Sequence, residues 1–425
     1  MTVSGSSVNG AGPSAAELSR RNQILDLAGV AFAASGFRTS LREIADACGI
    51  LPGSLYHHFA SKDALIIELV ERYFADLDDV AVGATTELAS PADHPIPDQL
   101  VRIANETAAC AMRHRAAVAM TLFEPPSGAS DELLQAVSRS PAALEEATTA
   151  VLRAGEQAGT IRSGVDHALL AHRLCYSMRT VAIGVPDGVA ANDRIPELKA
   201  RIMIEGLAST PPADRDLDRS AARAAADAAI DGWPDDRDDD ERLGALRAAA
   251  RIEFARRGYG ATTIRDIAAT AGLSTGSVYR LVGSKDELLV SVMRSFTENI
   301  TSGWEPVLDS PSSTIEKLDA LMWVGITVLD RFRDEFRIQL AGLRYSTSSL
   351  ADVGWSFSRR LDEVRSLLAT GIGAGEVRPI DASIDELAWA VLELLWMPET
   401  VVAAGDHAAL VLGRDSVLRG AAVRR

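Results

Sequence analysis

Two lysines, Lys62 and Lys285, each follow directly on a serine, Ser61 or Ser284, that reads as a helix cap. A cation is unfavourable at a helix N-terminus, where the backbone dipole already presents positive charge. The same placement twice in one chain points to an anion outside the protein. Six positions before each lysine stands a tyrosine, Tyr56 or Tyr279, followed by a residue able to carry positive charge, His57 or Arg280. That pattern suits recognition of a phosphate-bearing polymer. In the plainer reading the tyrosines are half-buried packing residues and the lysines are solvated.

The elements that must position these residues can be read on both sides of them. Ser40 with Glu43 forms a capping box, so a helix starts there, and Ile44 and Ala45 give it a small apolar face. Gly49 permits a tight turn. A second short helix runs from about Pro52, a favoured first-turn residue, to Phe59, and Ser61 caps a longer third helix. Further along, Thr263 with Asp266, Gly272, Thr275 to Val282 and Ser284 repeat the plan. Each set is braced by an amphipathic helix: Arg20 to Ser35 with Ile24, Leu27 and Phe32 inward, and Arg242 to Arg257 with Leu246, Ala250 and Phe254 inward. Two short helices joined by a glycine turn and braced in this way are a helix-turn-helix.

The repeat extends beyond the motif. Ser40 to Leu65 aligns with Thr263 to Leu288, with 11 of 26 pairs identical, and Ala158–Arg162 is echoed by Ala374–Arg378. Two landmarks in the same order indicate a duplicated domain, and the period is too long for a solenoid. The 425 residues suit two such units, and helical periodicity without alternating strand-like runs predicts an all-α fold.

Charge points the same way. The chain carries −16 overall, yet Arg20 to Lys62 sums to +2 and Arg242 to Lys285 to +6. Such a protein contacts nucleic acid through local basic surfaces, as sequence-selective DNA binding requires. Three widely spaced cysteines, Cys48, Cys110 and Cys175, exclude a disulfide framework and fit a reducing cytosol. No apolar run is long enough for a membrane span, and Met1 to Ser14 reads as a flexible arm, not a signal peptide. There is no phosphate-cradling glycine loop, nucleophile elbow or paired His–Glu zinc motif, and the histidines show no metal-site spacing. No enzyme activity, cofactor or metal is expected. The competing readings are a ligand-gated transcription factor, a ligand-independent architectural DNA binder and a cofactor-independent helical enzyme.

Ile44-Ala45-Asp46-Ala47-Cys48-Gly49, Gly53 to Phe59 and Ser61-Lys62 resemble the DNA-binding signature of the TetR family of bacterial repressors. Ile267 to Gly272, Ser277 to Arg280 and Ser284-Lys285 form a divergent second copy. The tandem arrangement is similar to fused actinobacterial TetR regulators of lipid and sterol operons. The resemblance implies that Tyr56, His57 and Lys62 hold phosphates, while Arg42, Pro52, Gly53 and Ser54 approach bases or sugar. In the second copy it implies Tyr279, Arg280 and Lys285, then Arg265, Thr275, Gly276 and Ser277. Val282 stands where Phe59 stands in the first copy, so the second recognition helix is expected to sit differently.

The same resemblance implies a helical ligand-binding body behind each head. The division is a head over 15–63 and body over 64–208, an acidic linker over 209–240, then a head over 241–286 and body over 287–425. The linker carries −6 and is most simply a solvated spacer with a helix-prone alanine-rich middle. The family dimerises through its last two helices. Here these are Asp166 to Gly184 with Pro196 to Leu207, and Asp381 to Met397 with His407 to Gly420, so the bundle can close within one chain as a pseudo-dimer. Leu170, Leu174, Met178 and Val181 supply an apolar face, for that bundle or for their own body. Double-stranded operator DNA and a small apolar or amphipathic effector, such as an acyl-coenzyme A, are the implied partners, and higher oligomers remain open. Candidate effector contacts are Phe74, Met112, Met120, Phe123, Tyr176 and Met178 in the first body. In the second they are Trp323, Phe336, Tyr345, Trp355 and Trp389, and its five tryptophans predict the larger, aromatic-walled pocket there.

Overall fold

A computed structural model of the protein describes residues 15–35, 39–90, 95–121, 129–184, 194–233, 240–342 and 357–424. The expected arm, Met1 to Ser14, lies outside them. The described residues are helical apart from turns and two isolated β-bridges. In the first unit, α1 (Ala15–Ser35), α2 (Leu41–Ala47) and α3 (Pro52–His58) make the head. The body follows as α4 (Lys62–Ala89), α5 (Ile96–Arg113), α6 (Arg115–Met120), α7 (Asp131–Val137), α8 (Ala142–Gln157), α9 (His167–Gly184) and α10 (Arg194–Glu205). Two helices, α11 (Asp214–Asp218) and α12 (Ala221–Asp231), lead to the second head of α13 (Glu241–Ala261), α14 (Ile264–Thr270) and α15 (Thr275–Val282). Its body comprises α16 (Lys285–Asp309), α17 (Thr314–Arg331), α18 (Arg333–Gly342), α19 (Phe357–Gly373), α20 (Ile384–Leu394), α21 (Glu399–Val402) and α22 (Asp406–Gly413), which runs into a π-helical turn over Arg414–Leu418.

The bracing helices bury the expected stripe with one correction. Ile24 and Phe32 are in the core, but Leu25 is fully buried where Leu27 is only partly so. Both residues lie near the inward arc of α1, which packs against α2, α4 and α6. Leu246, Ala250 and Phe254 are all fully buried.

The acidic segment is not a free spacer. α12 packs in a groove between α16 and α17, with Ala222 and Ala226 fully buried. The Trp323 indole donates to Asp227 at 2.9 Å, and the Arg223 guanidinium lies 4.1 Å over the same ring. Trp233 packs beside Gly303 and donates to Ser302 at 3.1 Å. Alanine's small side chain permits this close helix packing, while on α12 Asp231 faces outward and Asp227 meets Arg223.

The two units meet through reciprocal contacts. The Arg162 backbone N–H donates to Ala421 O at 2.8 Å and its guanidinium to Gly420 O at 2.7 Å. Arg378, its counterpart, donates from backbone to Leu207 O at 2.9 Å and from side chain to Gly206 O at 2.5 Å. Gly206 and Gly420 have φ of 75° and 77°, and each lies so near the other's backbone that a Cβ would overlap it. Between these matched ends the contact is not symmetric. Lys199, buried on α10, donates to Glu393 of α20 at 2.6 Å and to Ser177 O at 3.1 Å. Arg173, fully buried on α9, donates to Leu394 O, Leu412 O and Ser416 Oγ, and burial pulls its guanidinium down to about 9. Arg414 binds Asp319 through both oxygens at 2.8 and 2.9 Å and reaches Asp214 and Asp218 of α11.

Candidate nucleic-acid interface

Each head is set by its caps. Ser40 Oγ accepts from Glu43 N at 3.2 Å while Glu43 accepts from Ser40 N at 2.6 Å. Thr263 and Asp266 repeat the box at 3.2 and 2.9 Å. Gly49 and Gly272 take φ of 63° and 66°, a left-handed conformation that a side chain disfavours, and so turn the chain into the next helix. Leu55 and Val278 are fully buried, where α3 packs on α2 and α15 on α14.

One residue further along each short helix, the pattern inverts. Tyr56 is 57% exposed and Tyr279 54% exposed. Large aromatic side chains held out at matched positions do not fit the packing reading. Arg42, Pro52, Gly53, Ser54 and His57 are exposed in the first head, as are Arg265, Thr275, Gly276 and Arg280 in the second. Ser277, Lys62 and Lys285 are partly exposed. On α3, positions 52, 53, 56 and 57 share one helix face, and 275, 276, 279 and 280 do so on α15.

The heads differ in how they hold these groups. In the first, the Arg21 guanidinium lies 4.2 Å over the Phe59 ring and bonds Glu68 and His58 O. Partial burial pulls the Lys62 ammonium down, against the opposing pull of Asp63 and Glu43. In the second, Lys285 lies 4.1 Å over the Tyr259 ring and donates to the Tyr259 carbonyl, while the Tyr259 hydroxyl donates to Asp286. The Tyr259 ring packs 5.4 Å from Phe254. Ser274 Oγ lies 2.9 Å from Ser277 Oγ, which also accepts from Arg280 at 3.2 Å. Tyr259 was not among the sequence candidates. Its signal was available, because it is the hydroxyl-bearing counterpart of Phe37.

The described effector candidates occupy several separate places. Phe123, Tyr345 and Trp355 lie outside the described residues. Phe74 is fully buried with Arg139 over its ring at 4.7 Å, and Met120 and Met178 are core residues. Tyr176 is partly buried, 6.3 Å from the His172 ring. Trp323 is engaged by α12, and Phe336 stacks on Trp396 at 5.0 Å. Trp389 and Met112 meet Val181 and Ile195 where the two units touch, so they serve the contact between units. Leu170, Leu174 and Met178 of the same α9 stripe are buried. The second body does hold a cavity of about 670 Å³, between the end of α16, the start of α17 and α19. Its wall is mixed: Leu308 and Leu367 stand among Lys317, Arg359, Asp362 and Thr370. No described helix is long and apolar enough to cross a membrane.

Residues 24–69 and 246–292 both match the family model for bacterial regulatory proteins of the tetR family. The HTH-type transcriptional repressor KstR2 of Rhodococcus jostii (strain RHA1) is 32% identical over 193 residues, which span 45% of this chain and 92% of that protein. KstR2 of Mycolicibacterium smegmatis (strain ATCC 700084 / mc(2)155) is 27% identical, over 37% of this chain and 77% of its own. Among solved structures, the ketosteroid transcriptional regulator KstR2 of Mycobacterium tuberculosis is 26% identical, with 42% of this chain and 91% of that chain covered at a TM-score of 0.36. A relative spanned almost whole by less than half of this chain agrees with the internal repeat, and two helix-turn-helix heads built on one plan agree with both matched segments. The chain belongs to the TetR family of bacterial transcriptional regulators, and it carries the family's DNA-binding domain twice.

Proposed function

We propose that the protein is a repressor that grips one operator with both heads of a single chain, an intrachain pseudo-dimer, and that the operator has unlike half-sites. The observation that carries this reading is the paired exposure of Tyr56 and Tyr279 on heads whose bodies meet through reciprocal arginine contacts. Tyr56, His57 and Lys62, with Tyr279, Arg280 and Lys285, hold phosphates. Arg42, Pro52, Gly53 and Ser54, with Arg265, Thr275, Gly276 and Ser277, approach bases or sugar. Pro52 lacks the hydroxyl that Thr275 offers, and Ser277 is tied to Ser274 and Arg280, so the heads present different donors. A symmetric homodimer wants matching half-sites. This chain wants two different ones. Selection of bound DNA from random sequence tests it: two distinct half-sites per chain are expected, and perfect inverted repeats would overturn the reading.

An amphipathic effector, of the acyl-coenzyme A kind, releases the DNA in this reading. Support comes from the 670 Å³ cavity, where apolar side chains lie beside Lys317 and Arg359. Such a ligand acts only through different affinities for the two states, worth about 1–3 kcal/mol. Native mass spectrometry against an acyl-coenzyme A panel, with and without operator, checks it. Ligands that leave operator affinity unchanged would favour the ligand-independent architectural reading.

A further inference from the structure

Cys110 in the last turn of α5 and His114 at its C-cap lie on the same side of the helix end, and Asp76 of α4 stands opposite them. The Cys110 sulfur, a His114 ring nitrogen and an Asp76 oxygen all lie within 4.8 Å of one another. His114 Nε2 is 2.9 Å from Asp76 Oδ2, to which Arg113 also donates at 3.2 Å. Cys110 forms the buried floor with only a long contact, 3.9 Å, to the Tyr73 carbonyl, whereas the Asp76 side chain is 38% exposed. An ion therefore has a path from solvent.

The second body is a built-in control. The Tyr73 and His114 rings, 5.9 Å apart, have Phe296 and Phe332 as counterparts at 6.2 Å. His114 and Phe332 cap the ends of α5 and α17 in the same way. In that register Asp76, Cys110 and His114 correspond to Asn299, Val328 and Phe332. The fold at this point thus forms with an apolar pair and an amide. All three donors appear together in one unit and vanish together from the other.

We propose that Asp76, Cys110 and His114 bind a transition-metal ion of the zinc class at the junction of α5 and α6. Thiolate, imidazole and carboxylate are a soft-to-borderline donor set that suits zinc and disfavours magnesium or calcium. Tetrahedral zinc with bonds of about 2.0–2.3 Å needs donors about 3.3–3.8 Å apart, so the cluster closes by roughly 1 Å of side-chain movement. Three protein ligands leave the fourth position to water on the exposed side. Binding takes the thiol as thiolate, and its proton leaves to bulk water. Arg113, which shares Asp76 Oδ2 with His114, shifts to the other carboxylate oxygen or swings into solvent, since its side chain is 59% exposed. His114 also precedes α6, which lies against α1 of the head, so the ion fixes the angle at which the body meets the head. The site rests on its own residues and is independent of the operator reading.

The test uses the full chain, stripped with a chelator and dialysed against Zn²⁺, with Co²⁺ as a spectroscopic probe. One tightly held zinc per chain is expected, and a cobalt–thiolate charge-transfer band in the near ultraviolet. Asp76→Asn, Cys110→Val and His114→Phe place residues that the second body already carries. Each should weaken zinc by at least about 100-fold, more than the loss of an outer partner usually does. Arg113→Ala, which removes only a competing cation, should tighten binding. Absence of the cobalt–thiolate band in the unaltered chain, which needs no variant to fold, would overturn the proposal, as would unchanged zinc stoichiometry in Cys110→Val.

Discussion

The two units share a plan and differ at the positions that face each other. Counting from the repeated Ala158–Arg162 and Ala374–Arg378 segments, buried Arg173 on α9 corresponds to Trp389 on α20, and Ser177 to Glu393. Lys199 on α10 corresponds to Gly413 when the register is taken from Gly206 and Gly420. In a homodimer each residue meets a partner surface identical to its own. Two copies of the first unit would set Lys199 against Ser177 with no carboxylate, and two of the second would set Glu393 against Gly413. A buried charge without its partner costs several kcal/mol. Two units on one chain need no self-complementarity, and their facing surfaces differ accordingly.

The symmetric part of the contact gives the largest expected effect. Gly206→Ala would set a Cβ 2.4 Å from the Arg419 carbonyl carbon, and Gly420→Ala one 2.3 Å from that of Glu205. A left-handed conformation costs a side chain about 1–2 kcal/mol, and forcing the backbones apart about 1–3 more. Gly159 and Gly375 have φ of 69° and 71° with nothing within 4 Å of the added carbon, so alanine there should show the conformational cost alone. Urea unfolding of the four variants checks the difference. Equal losses would mean that the two backbones do not approach closely.

The asymmetric part comes next. Glu393→Ala leaves Lys199, whose side chain is 2% exposed, with only the Ser177 carbonyl. The loss should be about 3 kcal/mol, at the lower end for a broken buried pair because Glu393 is partly solvated. Lys199→Met combined with Glu393→Leu should recover most of it. A double variant as unstable as the single one would show that the pair is not a closed charge couple.

Much of this was legible in the sequence. The capping boxes, glycine turns and tandem heads follow from residue types at fixed spacing, and so do the helices by which the units meet. The linker was legible only in part. Its aspartates suggested a solvated spacer, but the buried alanines lie on one face of α12, and their packing depends on a groove between α16 and α17 that no local pattern announces. The effector candidates show the same dependence on tertiary packing. Aromatic density cannot tell a cavity wall from a side chain such as Trp323, which is fixed to Asp227 from 96 positions away. A smaller expected effect follows: Asp227→Ala should cost about 1 kcal/mol by removing that hydrogen bond, read from thermal unfolding.

The smallest effect separates the heads at the DNA. Lys62 and Lys285 occupy one motif position, yet Lys285 already lies on the Tyr259 ring and carbonyl. Replacing Lys62 with Ala removes a cation from a helix start where a cation is unfavourable, so fold stability should change little. If Lys62 meets a phosphate, binding to all sequences weakens and the slope of log affinity against log salt falls by about 0.9. Replacing Lys285 with Ala also takes the cation off Tyr259, a contact worth about 0.5–1 kcal/mol at an exposed site. The second head should then lose stability as well as affinity, with a similar fall in slope. Titrations of operator and unrelated DNA at several salt concentrations, paired with thermal melts, separate the two contributions. A lysine variant with an unaltered slope lies outside the interface. If Lys285→Ala alone keeps its slope, its ammonium serves Tyr259 rather than DNA, and the two heads divide into one that anchors through this lysine and one that does not.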